Sequence, residues 1–143
     1  MNDTSLIPKT LGEFLGEGKK RAVYAHPERD DLVVKKLKLS KKRHRKYVAQ
    51  SANRREKEMF DALDGREEQK WFARVYAVSH DGVYLVMERL KPVSKPPESY
   101  PDWLDEAEVA FHWGVSRDGN IKQCDYEGSG SHRKFLNHFG FKK

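Results

Sequence analysis

The stretch "LGEGKKRAVYAHP", residues 15–27, decides how the rest of the chain is read. Gly16 and Gly18 flank a glutamate just ahead of a Val-Tyr-Ala run. Glycine tolerates tight turns and lets a backbone approach another group closely. Two readings follow. The pair makes a simple bend between strands, or it lets a backbone hairpin close over a phosphate.

At 143 residues, 37% hydrophobic and 35% charged, the chain suits one domain with a single modest core rather than a disordered polymer. Its one cysteine, Cys124, rules out an intrachain disulfide and favours a reducing, intracellular setting. The start, "MNDTSLIPK", has no apolar run behind a basic one, unlike a secretory signal. No segment approaches the roughly 18 apolar residues that a membrane span needs. A cytoplasmic protein without a membrane partner is expected. The histidines are scattered, with no metal-ligand spacing around Cys124, so no zinc site is expected.

The net charge of +6 is concentrated at "KKLKLSKKRHRK" (35–46), which holds eight Lys and Arg residues and no acid. Such a run serves as a solvated cationic connection, or neutralises the phosphates of DNA or RNA. No zinc-finger spacing, RNP-type aromatic motif or helix-turn-helix accompanies it. Residues 98–110, "ESYPDWLDEAEVA", carry five acids and no Lys or Arg. Charge polarised in this way suits a protein partner as well as nucleic acid.

Turn residues and hydrophobic periodicity order the elements. Residues 11–18 and 21–25 read as a hairpin, and "DDLVVKKLKL" (30–39) as a third strand. In 47–63, Val48, Ala52, Met59, Phe60 and Leu63 recur at helical steps. Residues 72–79 and 82–90 are two more strands around a tight "HDG" turn. "KPVSKPPESYP" (91–101), with four prolines, is an extended linker. A short helix at 102–110, a last hairpin turning at "RDGN", and a helical turn in the tail complete the pattern. Trp103 and Trp113 pack this appended segment onto the sheet. The fold class expected is α+β: a five-stranded antiparallel sheet with one packed helix and a C-terminal hairpin-and-helix appendage.

Two charges sit where apolar residues belong. By two-residue alternation Val33, Lys35, Leu37 and Leu39 share one face of the third strand, while Lys36 points the other way. Positions 48, 52, 56, 59, 60 and 63 line one helical stripe, and position 56 is Glu; Glu58 faces solvent. An inward Lys and an inward Glu on neighbouring elements need one another, because an unpaired buried charge is costly. The bland alternative is a lysine that snorkels and a glutamate at the edge of its stripe.

With these residues in place, the first ninety residues resemble the N-terminal lobe of the protein-kinase-like fold. "GEGKKRAV" (16–23) is similar to that family's Gly-rich loop at Gly16, Gly18 and Val23, with Arg21 where the family has a third glycine. "LVVK" (32–35) stands at the family's V-A-I-K, which makes Lys35 the phosphate-binding lysine; "EKEMFDAL" (56–63) resembles its helix C, with Glu56 as the lysine's partner. "GVYLVMERL" (82–90) resembles the fifth strand and hinge, so Met87 is the expected gatekeeper and the backbone of Glu88 to Leu90 is expected to meet adenine. The string "LGEGKKRAVYAHPE" is closer still to small bacterial kinase-like proteins described as part of the PhoP regulatory network.

After residue 91 the resemblance thins, because no H-R-D-x-x-x-x-N loop is present. "CDYEG" (124–128) resembles the metal-binding D-F-G segment, which implies Asp125 as a Mg²⁺ ligand and catalytic group; a strand-end turn residue is the alternative. Asp102 and Asp105 are the candidate bases. With Asp105 in that role, the second metal ligand falls on Ala110 and is missing. The resemblance thus implies a nucleotide-binding domain at 11–90, a Pro-rich hinge at 91–101 and a reduced C-lobe remnant at 102–143. It implies ATP and Mg²⁺ as cofactors, and a protein partner or second copy that completes the truncated C-lobe.

Three functions follow: a pseudokinase-type regulator or inhibitor without efficient catalysis, a miniature Mg²⁺-dependent phosphotransferase, and a nucleic-acid binder using 35–46. The first is preferred because the catalytic loop is missing. Reduced size suggests an accessory protein of a phage or mobile element. Arg21 brings a charge near the phosphates, either strengthening anion binding or plugging the site.

Overall fold

The computed structural model describes residues 2–18, 20–38, 52–101, 104 and 113–124. The fold is α+β. Strands β1 (Phe14–Glu17), β2 (Arg21–Ala25), β3 (Leu32–Leu37), β4 (Val75–Val78) and β5 (Tyr84–Glu88) form an antiparallel sheet in the order β1-β2-β3-β5-β4. Among the described residues one α-helix, α1 (Ala52–Ala62), lies between β3 and β4 in sequence. A second sheet, in the order β6-β7-β8, joins β6 (Lys91–Pro92), β7 (Trp113–Val115) and β8 (Ile121–Gln123).

Alternation along the strands sorts two cores onto the two faces of the large sheet. Val33, Leu85 and Met87 pack against Met59, Phe60 and Leu63 from the α1 side. Leu32, Val34 and Val86 pack on the opposite face against Leu6, Ile7 and Leu11. The N-terminal segment, with a 3₁₀ turn at Thr4–Leu6, supplies that cover. It also runs along the edge of β4: the Asn2 amide donates to the Val78 carbonyl at 3.1 Å, and its oxygen accepts from the Val78 N–H at 2.8 Å.

Helix α1 is built from good helix formers with one buried stripe. It ends in a turn at Gly65, whose φ of 78° is left-handed and so costs glycine nothing. The helix expected over 47–63 is thus present from Ala52; residues 47–51 lie outside the described residues. All three expected hairpins form: β1–β2, one around Gly82 and one around Gly119, which has φ of 88°. The expected helix at 102–110, the helical turn of the tail and Trp103 fall outside the described residues.

The second sheet docks on the first. Gln123, 1% exposed, accepts from the Ala73 N–H at 2.8 Å, and Lys122 Nζ donates to Glu88 Oε1 at 2.9 Å. Trp113 is in the core, edge-on to Trp71 and stacked on Tyr100, so it packs this segment onto the sheet as expected. Lys91 and Pro92, in the stretch read as an extended linker, are extended and pair with Val115 and Gly114. Among the described residues no helix is long and apolar enough to cross a membrane.

Candidate functional site

A cavity of about 960 Å³ opens between the β1–β2 hairpin and the second sheet. That is at the upper end of the range for small-molecule sites. Val23 and Val33 line it from the large sheet, Met87 and Leu90 from the end of β5 and beyond, and Trp113 from β7. Lys20 and Lys35 bring cationic side chains to the same space. The lining therefore combines apolar and aromatic side chains with basic ones.

Lys35 occupies its place because β3 alternates. It is on the α1 side with Val33, while Lys36 is half-buried on the other face. Its Nζ donates to Glu56 Oε1 at 2.8 Å and also to the Cys124 carbonyl. Lys35 also lines the cavity. Glu56 is wholly buried and does not line the cavity; it stands behind Lys35. Burial pushes its carboxyl group up, but the charges and hydrogen bonds of Arg21 and Lys35 outweigh this and hold it at about 2.

Arg21 answers the question its position raised. Its guanidinium is turned toward α1, with Nη1 3.1 Å from Glu56 Oε1, Nη2 3.2 Å from Oε2, and Nη1 also 3.1 Å from Asn53 Oδ1. It forms part of the cavity wall with its charged head engaged by the helix. Asn53 is the residue that sequence reading missed. Fully buried, it donates to the carbonyls of Val83 at 2.8 Å, Gly82 at 3.1 Å and Lys35 at 3.2 Å. The signal was available, since Asn53 lies three residues before Glu56 on the buried stripe.

The glycines differ in what they meet. A Cβ added at Gly114 falls 2.5 Å from the Leu90 Cβ and 2.9 Å from the Lys91 oxygen, so β7 needs glycine there to lie against β6 and the residue before it. A Cβ at Gly16 or Gly18 meets nothing within 4 Å, and neither residue has a left-handed φ. Gly16 follows a bulge in β1, and Gly18 N–H bonds the Arg21 oxygen at 2.9 Å to close the turn.

Of the residues expected to hold a nucleotide, Gly16, Gly18, Arg21, Val23, Lys35, Met87, Glu88 and Leu90 all line this cavity. The Glu88 side chain is engaged elsewhere, accepting from Lys122 and from the Arg74 N–H at 3.1 Å. Asp125 and Asp105 lie outside the described residues, as does most of the basic run. Within that run Lys35 is internal, and Lys38 pairs with Glu17 at 2.7 Å. Among the described residues no cluster of three His, Cys, Asp or Glu side chains is placed to hold a metal ion. No protein-family model matches this chain, and no curated protein matches it either.

Proposed function

We propose that the cavity binds an adenine nucleotide and that the chain is a kinase-like regulator rather than an efficient phosphotransferase. One observation carries this reading: a lysine held by a buried glutamate on the neighbouring helix faces a large cavity beneath a Gly-rich hairpin. The apolar lining side chains, among them Val23, Val33, Met87 and Trp113, suit a purine ring, and the Lys35 ammonium suits phosphates. The glycines at 16 and 18 add support. Neither packing nor backbone conformation requires them, whereas close approach of a phosphate to the backbone does. The resemblance to the protein-kinase-like N-lobe is consistent with the strand order and with the place of α1.

Calorimetric titration with ATP, with and without Mg²⁺, tests the reading. Saturable binding of one nucleotide per chain is expected. Absence of binding under both conditions removes the nucleotide reading altogether.

Phosphotransfer is a second reading, and one contact favours it. Lys35 donates to the carbonyl of Cys124, the residue that immediately precedes Asp125 in the chain. As an Mg²⁺ ligand, Asp125 would hold the metal, whose charge would neutralise the phosphates. Mg²⁺-dependent transfer of the γ-phosphate by the purified chain, lost on Asp125→Asn, establishes this reading over the regulator. No transfer, with partner binding unchanged in Asp125→Asn, supports the regulator.

A further inference from the structure

Two cations converge on one buried carboxylate, and they hold it differently. Arg21 takes both oxygens of Glu56, and Asn53 fixes the same guanidinium from another side. Lys35 holds Oε1 alone and divides its donors between Glu56 and the Cys124 carbonyl. Arg21 is 6% exposed, Lys35 5% and Glu56 0%. A lysine that is the sole partner of such a carboxylate cannot leave it for a ligand without stranding a buried charge. Lys35 is not the sole partner.

We propose that Arg21 is the standing counter-ion of Glu56, and that it thereby frees Lys35 to move its ammonium from the carboxylate to an anionic ligand in the cavity. Arg21 is in this sense a positioning residue. The inference deepens the nucleotide reading and rests on it for the identity of the anion, a nucleotide phosphate. The chemistry of the two side chains fits the division. A planar guanidinium meets both oxygens of a carboxylate with a rigid fork, whereas an ammonium is a compact point charge on a flexible stem. Strand register supplies the placement: Arg21 stands opposite Leu37 and Val23 opposite Lys35, so both cations leave the same face of the sheet toward α1. Arg21 also opens β2 directly after the Gly18 turn, and it links the hairpin to the helix whether or not Lys35 is engaged.

The test uses the full chain and three variants, Arg21→Met, Lys35→Met and the double variant Arg21→Met/Glu56→Gln. Thermal unfolding at neutral pH is measured without ligand, and Mg²⁺-ATP affinity by calorimetry. Arg21→Met is expected to lower Tm by about 10 °C and Lys35→Met by about 3 °C, since only the first leaves Glu56 without its bidentate partner. Affinity for ATP is expected to fall about tenfold or more in Arg21→Met, where Lys35 must hold the carboxylate in place of the bidentate guanidinium. Adding Glu56→Gln removes the charge that detains Lys35, and it should bring affinity back to within about threefold of wild type and recover most of the lost Tm. A merely structural arginine gives no such rescue. An Arg21→Met chain that does not fold, beside a double variant that does, is the same rescue in stronger form. The proposal is overturned if Lys35→Met costs as much Tm as Arg21→Met, or if the double variant is no better than Arg21→Met. Should the wild-type chain bind no ATP, the nucleotide reading falls, while the melting comparison and its rescue still decide whether Arg21 is the standing partner.

Discussion

Lys35 on β3 and Glu56 on α1 meet at 2.8 Å between Nζ and Oε1, and the carboxylate is closed off from solvent entirely. The contact joins β3 to the turn of α1 that carries Glu56. The lysine is held upright at the cavity wall as a result. Position 36, one residue along, cannot substitute for it.

The first prediction follows from that difference. Lys35→Ala should weaken ATP binding at least about 100-fold, whereas Lys36→Ala should change it by no more than about twofold. Paired titrations under one buffer decide it. Equal losses would mean that the basic run acts as a diffuse phosphate-binding surface.

The second concerns acid. The Glu56 carboxyl is held at about 2 against an ordinary 4.5. A depressed folded value means that the native state binds this proton less readily than the unfolded chain. The stabilisation is therefore complete above the ordinary value and is lost as pH falls from there toward about 2. Its size is on the order of 3 kcal/mol. Urea unfolding of wild type and Glu56→Gln should differ by about that amount at pH 7 and converge in strong acid. A difference independent of pH would sink the assignment.

Helix phase gives a third. Asn53→Ala removes an amide that serves Arg21 and three carbonyls, and it should cost about 2–4 kcal/mol, because several buried groups each lose a hydrogen bond at once. Glu58→Gln, on the exposed side of the same helix, should stay within about 0.5 kcal/mol of wild type. Denaturant midpoints for the two variants are enough to check this.

A fourth separates two kinds of glycine. Gly114→Ala drives a methyl group into Leu90 and the Lys91 carbonyl, so it should lower Tm and shift β6. Gly16→Ala and Gly18→Ala enter open space, so Tm should be unchanged while ATP affinity drops. If melting falls in all three, the hairpin glycines serve the fold rather than a ligand.

Much of this was legible in the sequence, for reasons that particular residues illustrate. Lys35 and Glu56 could be placed because strand and helix periods, two and 3.6, assign a face to every residue once the element is known. The strands, their order along the chain and both turns were marked by Val, Leu and Gly at regular spacings. Tyr76 was not legible. A register shift between Val75 and Ala77 puts Tyr76 and Ala77 on the same side, and simple alternation does not reveal such a bulge. The destination of the Arg21 guanidinium was also hidden, since it depends on where α1 lies in space rather than on its neighbours in sequence. Pro92 concealed β6: proline argues against a central strand, yet β6 is at the edge of its sheet, where a missing N–H is tolerated.

The side chain of Asn2 behaves toward β4 as a peptide unit would, offering one donor and one acceptor to Val78. That border of the large sheet is thereby sealed, and among the described residues the opposite border, β1, carries no such cover. An assembly that grows by adding strands needs two open borders, one to receive and one to offer. This sheet has one. Two copies meeting there would consume it and leave nothing for a third, so association through the sheet terminates at a pair instead of propagating into a fibre.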